Sequence, residues 1–206
     1  MSDAASFNGS LQIGQKIRDF TFSTYNPVEN RFEEHTLYRH ILQGKWCVLY
    51  FYPADFTFVC PTELSDLSQY QEQLQQLGVE IISISTDTKF THLAWCKAEQ
   101  LLKNIKFQMA SDPTGELASF FGVYDEEAGT ALRGTFIINP DGVLVASEIN
   151  HYNVGRNAAE LLRKMRAYTY LHERPHQACP AAWEEGQPVL TPSESLVGCV
   201  YDFIDK

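Results

Sequence analysis

The chain has 206 residues, 44% of them hydrophobic, and its 16 basic and 26 acidic side chains give a net charge of −10. This length buries one substantial core and leaves little room for a second independent domain. The acidic balance, without a basic cluster, disfavours nucleic acid and membrane as partners, and no apolar run is long enough to span a bilayer. Because the first residues show no secretory pattern, we expect a cytoplasmic location.

Strands and helices are predicted to alternate along the chain. The apolar runs 46–52 and 79–86 are typical of strands covered on both faces. The runs 135–139 and 143–149 flank a Pro-Asp-Gly turn and predict a hairpin. A central mixed sheet follows from these patterns. Apolar residues at helical spacing predict three helices, Leu64 to Leu77, Phe90 to Leu102 and Ala158 to Tyr168.

One cysteine, Cys60, lies at the predicted start of the helix that follows the first of these strands. Unpaired amide N–H groups and the positive end of the helix dipole favour a thiolate at such a position. The placement is typical of a nucleophile. The alternative is a small buried hydrophobe, the usual role of a free cysteine, and position alone does not separate the two.

The residues around Cys60 form the pattern Pro53-x-x-x-Thr57-x-x-Cys60, which resembles the active-site signature of the peroxiredoxins. The similarity covers nearly the whole chain and is greatest to the typical two-cysteine type, in particular the bacterial alkyl hydroperoxide reductase C group. Further stretches in the family's order are Phe-Val-Cys-Pro-Thr-Glu (58–63), Ser-Thr-Asp (85–87), His-Leu-Ala-Trp (92–95), Asp-Pro-Thr-Gly (112–115), Arg-Gly-Thr-Phe-Ile-Ile (133–138), Val-Gly-Arg-Asn (154–157) and Ala-Cys-Pro-Ala-Ala-Trp (178–183).

The resemblance implies an α/β thioredoxin-like fold, with a central mixed sheet flanked by helices and an extended C-terminal arm. We expect a peroxidase domain over residues 1–172 and an arm over residues 173–206. The family reduces hydrogen peroxide and organic hydroperoxides with a thiol, so no metal, haem or flavin is implied within the chain. Electrons would come from a dithiol protein, either of thioredoxin type, a flavoprotein disulfide reductase or a small disulfide carrier.

Thiolate formation alone does not make a peroxidase. A cysteine with a pKa of about 8.5 is ~7% ionised at pH 7.4, so full ionisation raises its reactivity at most ~14-fold. The remainder must come from donors that align the peroxide and from positive charge at the leaving oxygen. Thr57 offers a hydroxyl, Arg133 a permanent cation, and Pro53 a rigid shield without an N–H group.

Each of these residues also has an ordinary explanation. Thr57 caps a turn, Pro53 ends a strand and Arg133 is solvated in the simplest alternative, and only their joint occurrence favours a site. Glu63 stands in the first turn of the helix, where a carboxylate complements the dipole. It could equally hold the arginine by an ion pair.

A second cysteine, Cys179, lies 119 residues after Cys60 in a segment rich in proline, with Trp183, Tyr201 and Phe203 among polar residues. This tail has no periodic core face, so we expect its aromatic residues to be buried against a second subunit. In the resembling family the arm carries a resolving cysteine to the partner's site. The resemblance therefore implies an intersubunit disulfide between Cys60 and Cys179, and a ring of five dimers.

Other uses of the thiols are less favoured by the sequence. His-Cys spacings at 92–96 and 176–179 lack the second pair that a structural zinc site needs. Without a Cys-x-x-Cys motif, dithiol exchange of the thioredoxin kind is also disfavoured. Cys47 and Cys96 are interpreted as packing residues, and Cys199 as a tail thiol of unknown state.

Two rival functions remain at this stage. A holdase chaperone would not require Pro53, Thr57 or Arg133. A thioredoxin-like exchanger would reduce insulin without peroxide.

Overall fold

The structure is a computed structural model that describes residues 11–204. Its main sheet has seven strands in the order β2-β1-β5-β4-β3-β8-β9, and β6 and β7 form a small separate pair. Strands β3, β4 and β5 are mutually parallel and the other pairings are antiparallel. The strands are β1 Thr21–Asn26, β2 Arg31–Thr36, β3 Trp46–Phe51, β4 Val79–Ser85, β5 Gln108–Ser111, β6 Tyr124–Asp125, β7 Thr130–Ala131, β8 Arg133–Ile138 and β9 Leu144–Asn150.

Helices cover both faces of this sheet. Alternate residues of β3 point to opposite faces, so Val48 and Tyr50 pack with one core cluster and Leu49 and Phe51 with the other. The first cluster includes α2, α3 and α5, and the second includes α1 and α4. The helices are α1 Leu37–Ile41, α2 Cys60–Gln76, α3 Lys89–Ala98, α4 Glu116–Phe120, α5 Ala158–His172 and α6 Tyr201–Ile204, with 3-10 turns at Gln100–Leu102 and Glu194–Leu196.

The ends of α2 and α5 follow from their local sequence. Helix α2 has proline in its first turn, where the missing N–H costs no hydrogen bond, and ends before Gly78 at a φ of 73°. Helix α5 begins after Asn157, whose side chain accepts from the amides of Ala159 and Glu160. These two helices lie on the same face of the sheet and pack against each other.

The second predicted helix is wrong in its extent. Helix α3 ends at Ala98 because Glu99 adopts an extended conformation, with ψ of 114°. The Glu99 side chain accepts a hydrogen bond from the Leu101 amide and starts a separate 3-10 turn there. Apolar spacing cannot show this break, because Leu102 is buried by the 3-10 turn. A continuous helix would have buried the same residue.

The tail corrects one further prediction. Trp183 is 2% exposed and packs on Tyr170 of α5 in its own chain, with ring centroids 5.2 Å apart. Its indole N–H donates to the carbonyl of Gln187, so the burial expected against a second subunit is met within the chain for this residue. Tyr201 and Phe203 stay exposed, at 76% and 52%.

None of the helices between residues 11 and 204 is long and apolar enough to cross a membrane.

Candidate active site

Cys60 is the first residue of α2 and is completely buried. Strand β3 ends at Phe51, and the loop 52–59 returns the chain to the sheet, so the cysteine lies at the carboxyl end of a central strand. The structure places the residue where the sequence predicted, at a helix N-terminus. Burial excludes water from the sulfur, so its electrostatic interactions with nearby charges are stronger than they would be in solvent.

Arg133 contacts the Cys60 sulfur directly. Its Nη1 lies 3.4 Å from Sγ, and its Nε donates to the carbonyl of Tyr152 at 2.9 Å, which fixes the plane of the guanidinium. Burial lowers the pKa of Arg133, but the hydrogen bond to Cys60 and the charge of Glu63 outweigh burial and raise the pKa above its usual value. The arginine is therefore a buried cation aimed at the sulfur.

Glu63, in the same first turn of α2 as Cys60, forms an ion pair with Arg133. It is 2% exposed, and its Oε2 accepts from Arg133 Nη1 at 2.6 Å. Of the two roles open to Glu63 in the sequence, the structure shows the ion pair. The first-turn position places the carboxylate on the same face as Cys60, three residues away, so one cation reaches both.

The cluster contains a second arginine that sequence reasoning missed. Arg156 binds both carboxylate oxygens of Glu63, through Nε at 2.9 Å and Nη2 at 3.1 Å, and its amide donates to the same carboxylate at 2.8 Å. Its guanidinium carbon also lies 3.4 Å from the centre of the Tyr50 ring.

These side chains leave a positive charge without a partner. Two arginines, Arg133 and Arg156, share one carboxylate, Glu63, in a site closed to water. A buried surplus charge is costly unless an opposite charge faces it. The Cys60 sulfur faces this surplus charge through its 3.4 Å contact with Arg133 Nη1.

The other two predicted residues of the loop are Pro53 and Thr57. Pro53 is buried just after β3, and Thr57 is half-buried. The Thr57 hydroxyl donates to the Ala54 carbonyl at 2.8 Å, which closes a turn of the loop in this conformation. Its role toward a peroxide stays a prediction.

Cys179 lies outside this cluster. It is half-buried in the arm, next to a backbone bridge between Ala178 and Leu190, and no described hydrogen bond of residues 11–204 links it to Cys60. Burial raises the pKa of Cys179, and the nearby charge of Arg163 partly offsets that effect. Neither cysteine forms a disulfide within the chain.

The other three cysteines differ in exposure. Cys47 is fully buried, and burial raises its pKa far above the usual range. Burial also raises the pKa of Cys96 to about 12, and its thiol contacts the sulfur of Met109 at 3.3 Å. Both are packing residues, as the sequence indicated, whereas Cys199 is exposed. Across residues 11–204 no group of three or more metal-binding side chains is arranged to hold an ion.

Comparisons with known proteins agree on one family. The sequence profile described as the AhpC/TSA family matches residues 13–147. Alkyl hydroperoxide reductase C of Staphylococcus haemolyticus is 47% identical over 186 residues, which is 90% of this chain and 97% of that protein.

Solved structures give the same result. The crystal structure of Enterococcus faecalis AhpC has a TM-score of 0.77 and 42% identity, over 82% of this chain and 98% of the other. The reduced 2-Cys peroxiredoxin of Plasmodium vivax has a TM-score of 0.83 and 32% identity, over 89% and 94%. The predicted resemblance and the thioredoxin-like fold are confirmed by these matches. The chain therefore belongs to the AhpC/TSA family and is a peroxiredoxin, an oxidoreductase that acts as a peroxidase.

Proposed function

We propose that Cys60 reduces hydrogen peroxide and organic hydroperoxides by direct attack on the O–O bond. The Cys60 thiolate bonds to one peroxide oxygen, the other oxygen leaves and takes a proton as water or alcohol, and the sulfur becomes a sulfenic acid. The observation that carries this proposal is the 3.4 Å contact between Arg133 Nη1 and Cys60 Sγ inside a buried cluster with surplus positive charge. In our proposal Arg133 stabilises the leaving oxygen, Thr57 aligns the peroxide and Pro53 shields the sulfur.

The second step joins Cys60 to Cys179 of another subunit. The sulfenic acid condenses with the Cys179 thiol, an S–S bond forms, and the hydroxyl leaves with the thiol proton as water. Cys60 is completely buried, so the start of α2 must unwind before the two sulfurs can meet.

A dithiol protein then reduces the disulfide, with its own two thiols becoming a disulfide. A thioredoxin-type protein, a flavoprotein disulfide reductase and a small disulfide carrier all meet this need. We further propose a cytoplasmic location, where such reductants keep thiols reduced, and a two-part chain with its arm over residues 173–206.

Stopped-flow oxidation of the reduced protein by hydrogen peroxide tests the first step. We expect one equivalent of peroxide to be consumed with a single added oxygen at Cys60 when Cys179 is blocked. The holdase alternative predicts client protection without turnover, and the disulfide-exchange alternative predicts insulin reduction without peroxide. Absence of any peroxide reaction would overturn the proposed function.

Replacing Arg133 by methionine is expected to slow oxidation of Cys60 by about 10²–10³-fold, since one donor aimed at the developing charge is lost. The fold should survive, because Arg156 still binds both oxygens of Glu63. The rate is measured by stopped flow. Arg166→Met removes an arginine that contacts Gln73 away from the site, and a similar loss in both variants would contradict the role of Arg133.

Oxidised protein is expected to run as a covalent dimer on non-reducing gels, and neither the Cys60→Ser nor the Cys179→Ser variant should show this band. Exposed apolar side chains in the arm, Val197 at 82% and Phe203 at 52%, support burial against a second subunit. Sedimentation should show a ring of five dimers that is favoured in the reduced state. An unchanged monomer in both redox states would contradict the assembly.

A further inference from the structure

A second buried polar cluster holds the loop 52–59 at the end away from Cys60. The side chains of Asp55 and His92 are completely excluded from solvent, and His92 Nδ1 lies 2.7 Å from Asp55 Oδ2. His92 Nε2 lies 3.1 Å from the carbonyl oxygen of Ala110 in β5. The Tyr52 hydroxyl donates to the other oxygen of Asp55 at 2.7 Å. The proposed chemistry uses none of these groups.

Both ring nitrogens of His92 face oxygen atoms, Nδ1 the Asp55 carboxyl group and Nε2 the Ala110 carbonyl. The Tyr52 hydroxyl also lies 3.5 Å from Nδ1. The buried polar atoms of Asp55 and His92 therefore all have hydrogen-bond partners, which makes the pair a rigid point of attachment.

The backbone of the loop is attached at the same residue. The Asp55 amide donates to Asp87 Oδ2 at 2.8 Å, just beyond the end of β4. The Ser85 hydroxyl donates to that same oxygen at 2.7 Å. Asp55 is therefore held by β4 through its backbone, and by α3 and β5 through His92.

The loop is strained and exposed at Phe56, the residue that follows Asp55. Phe56 has a φ of 54°, in the left-handed region that strains a side chain of this size, and it is 56% exposed. Phe58 is 93% exposed. A strained and exposed segment thus separates Asp55 from the buried Cys60.

We propose that the Asp55–His92 pair is the fixed end of the loop that carries Cys60, and that the chain rearranges about Phe56 when Cys60 moves to meet Cys179. Asp55 and His92 are positioning residues. They act through the loop, by holding Cys60 in line with Arg133. This inference rests on the disulfide step of the proposed function.

Hydrogen exchange on the wild-type protein tests the inference. The reduced and disulfide forms are compared at single-residue resolution. We expect the Asp55 amide to stay protected in both forms, while the amides of Thr62 and Glu63, which donate to the Val59 carbonyl, lose protection in the disulfide form. Loss of Asp55 protection in a protein that forms the disulfide would overturn this inference alone. A wild type that forms no disulfide with peroxide would overturn the proposed function as well.

Two variants of Asp55 separate positioning from packing. Asp55→Ala is expected to slow the first oxidation of Cys60 by about tenfold or more, because the sulfur is less well aligned, without slowing disulfide formation from the sulfenic acid. Asp55→Asn should keep a rate within about threefold of wild type, since its side-chain oxygen can accept from the Tyr52 hydroxyl and its NH2 group can donate to Nδ1 of His92.

Met165→Ala is the control, because it removes a fully buried core side chain of α5 that belongs neither to the Glu63, Arg133 and Arg156 cluster nor to the Asp55–His92 pair. It should lower the melting temperature and leave the first oxidation unchanged. A wild-type rate in Asp55→Ala, or an equal loss in Asp55→Ala and Asp55→Asn, would overturn the inference. If Asp55→Ala does not fold, the inference is tested by comparing hydrogen exchange in the reduced and disulfide forms of the wild-type protein.

Discussion

Replacing Cys60 by serine is expected to abolish reaction with peroxide, whereas replacing Cys179 by serine should leave the first oxidation intact and block recycling. The serine hydroxyl is not ionised near neutral pH, so the Arg133 and Arg156 charges cannot convert it into a comparable nucleophile. Cys179 lies outside the charge cluster, and its pKa is raised, so it does not compete for the peroxide. The two variants should therefore lose different steps, since Cys60→Ser loses the first oxidation and Cys179→Ser loses only recycling.

Stopped-flow fluorescence and intact-mass analysis distinguish the two outcomes. After one equivalent of peroxide, Cys179→Ser should gain one oxygen, and Cys60→Ser should gain none. The Cys199→Ser variant is the matched control, since it removes an exposed arm thiol and should behave as wild type in both steps. Equal inactivity of Cys60→Ser and Cys179→Ser toward the first equivalent would contradict the assigned roles.

Replacing Glu63 by glutamine is expected to lower the free energy of unfolding by about 3–5 kcal/mol, the usual effect of removing one partner from a buried ion pair. Both arginines would then lie in a closed site with no carboxylate between them. The amide also cannot accept two charged donors as a carboxylate does, so Arg133 should lose its alignment and oxidation of Cys60 should slow. Urea unfolding followed by circular dichroism measures the first effect.

The Glu72→Gln variant is the control for a salt bridge in solvent. Glu72 pairs with Lys106 at 2.7 Å, a distance close to that of Glu63 and Arg133, but both side chains are more than half exposed, at 70% and 59%. Screening by water should leave its removal without a measurable effect. A Glu63→Gln protein as stable as Glu72→Gln would show that the buried cluster carries no net stabilisation.

Local pattern was enough to predict the elements that carry the site. Continuous apolar runs identified the central strands, and the position of Cys60 after one of them placed it at a helix start, because both signals lie within a few neighbouring residues. The edge strand β2, its neighbour β1 and the short strand β5 were not predicted. Strand β2 buries only one of its six residues, so its sequence has no apolar run to recognise.

Arg156 shows what local pattern cannot supply. It is separated from Glu63 by 93 residues, and only the packing of α5 on α2 brings them together. The Val-Gly-Arg-Asn stretch marked the position, but nothing near it in the chain shows that the arginine is buried. The burial of Trp183 against α5 of its own chain was missed for a related reason, since it depends on packing made after the chain has folded. The break after Ala98 is local, because the Leu101 amide donates to the Glu99 side chain, but apolar spacing does not reveal it.

The surplus positive charge of the cluster has a thermodynamic consequence for the redox cycle. A sulfenic acid does not carry the full negative charge of a thiolate, so oxidation weakens the attraction between Cys60 and Arg133. In the proposed function, Arg133 therefore holds the oxidised residue in its buried position less strongly than it holds the thiolate. In that proposal one contact acts at two steps, since it assists the attack on peroxide and its weakening then favours release of the oxidised residue.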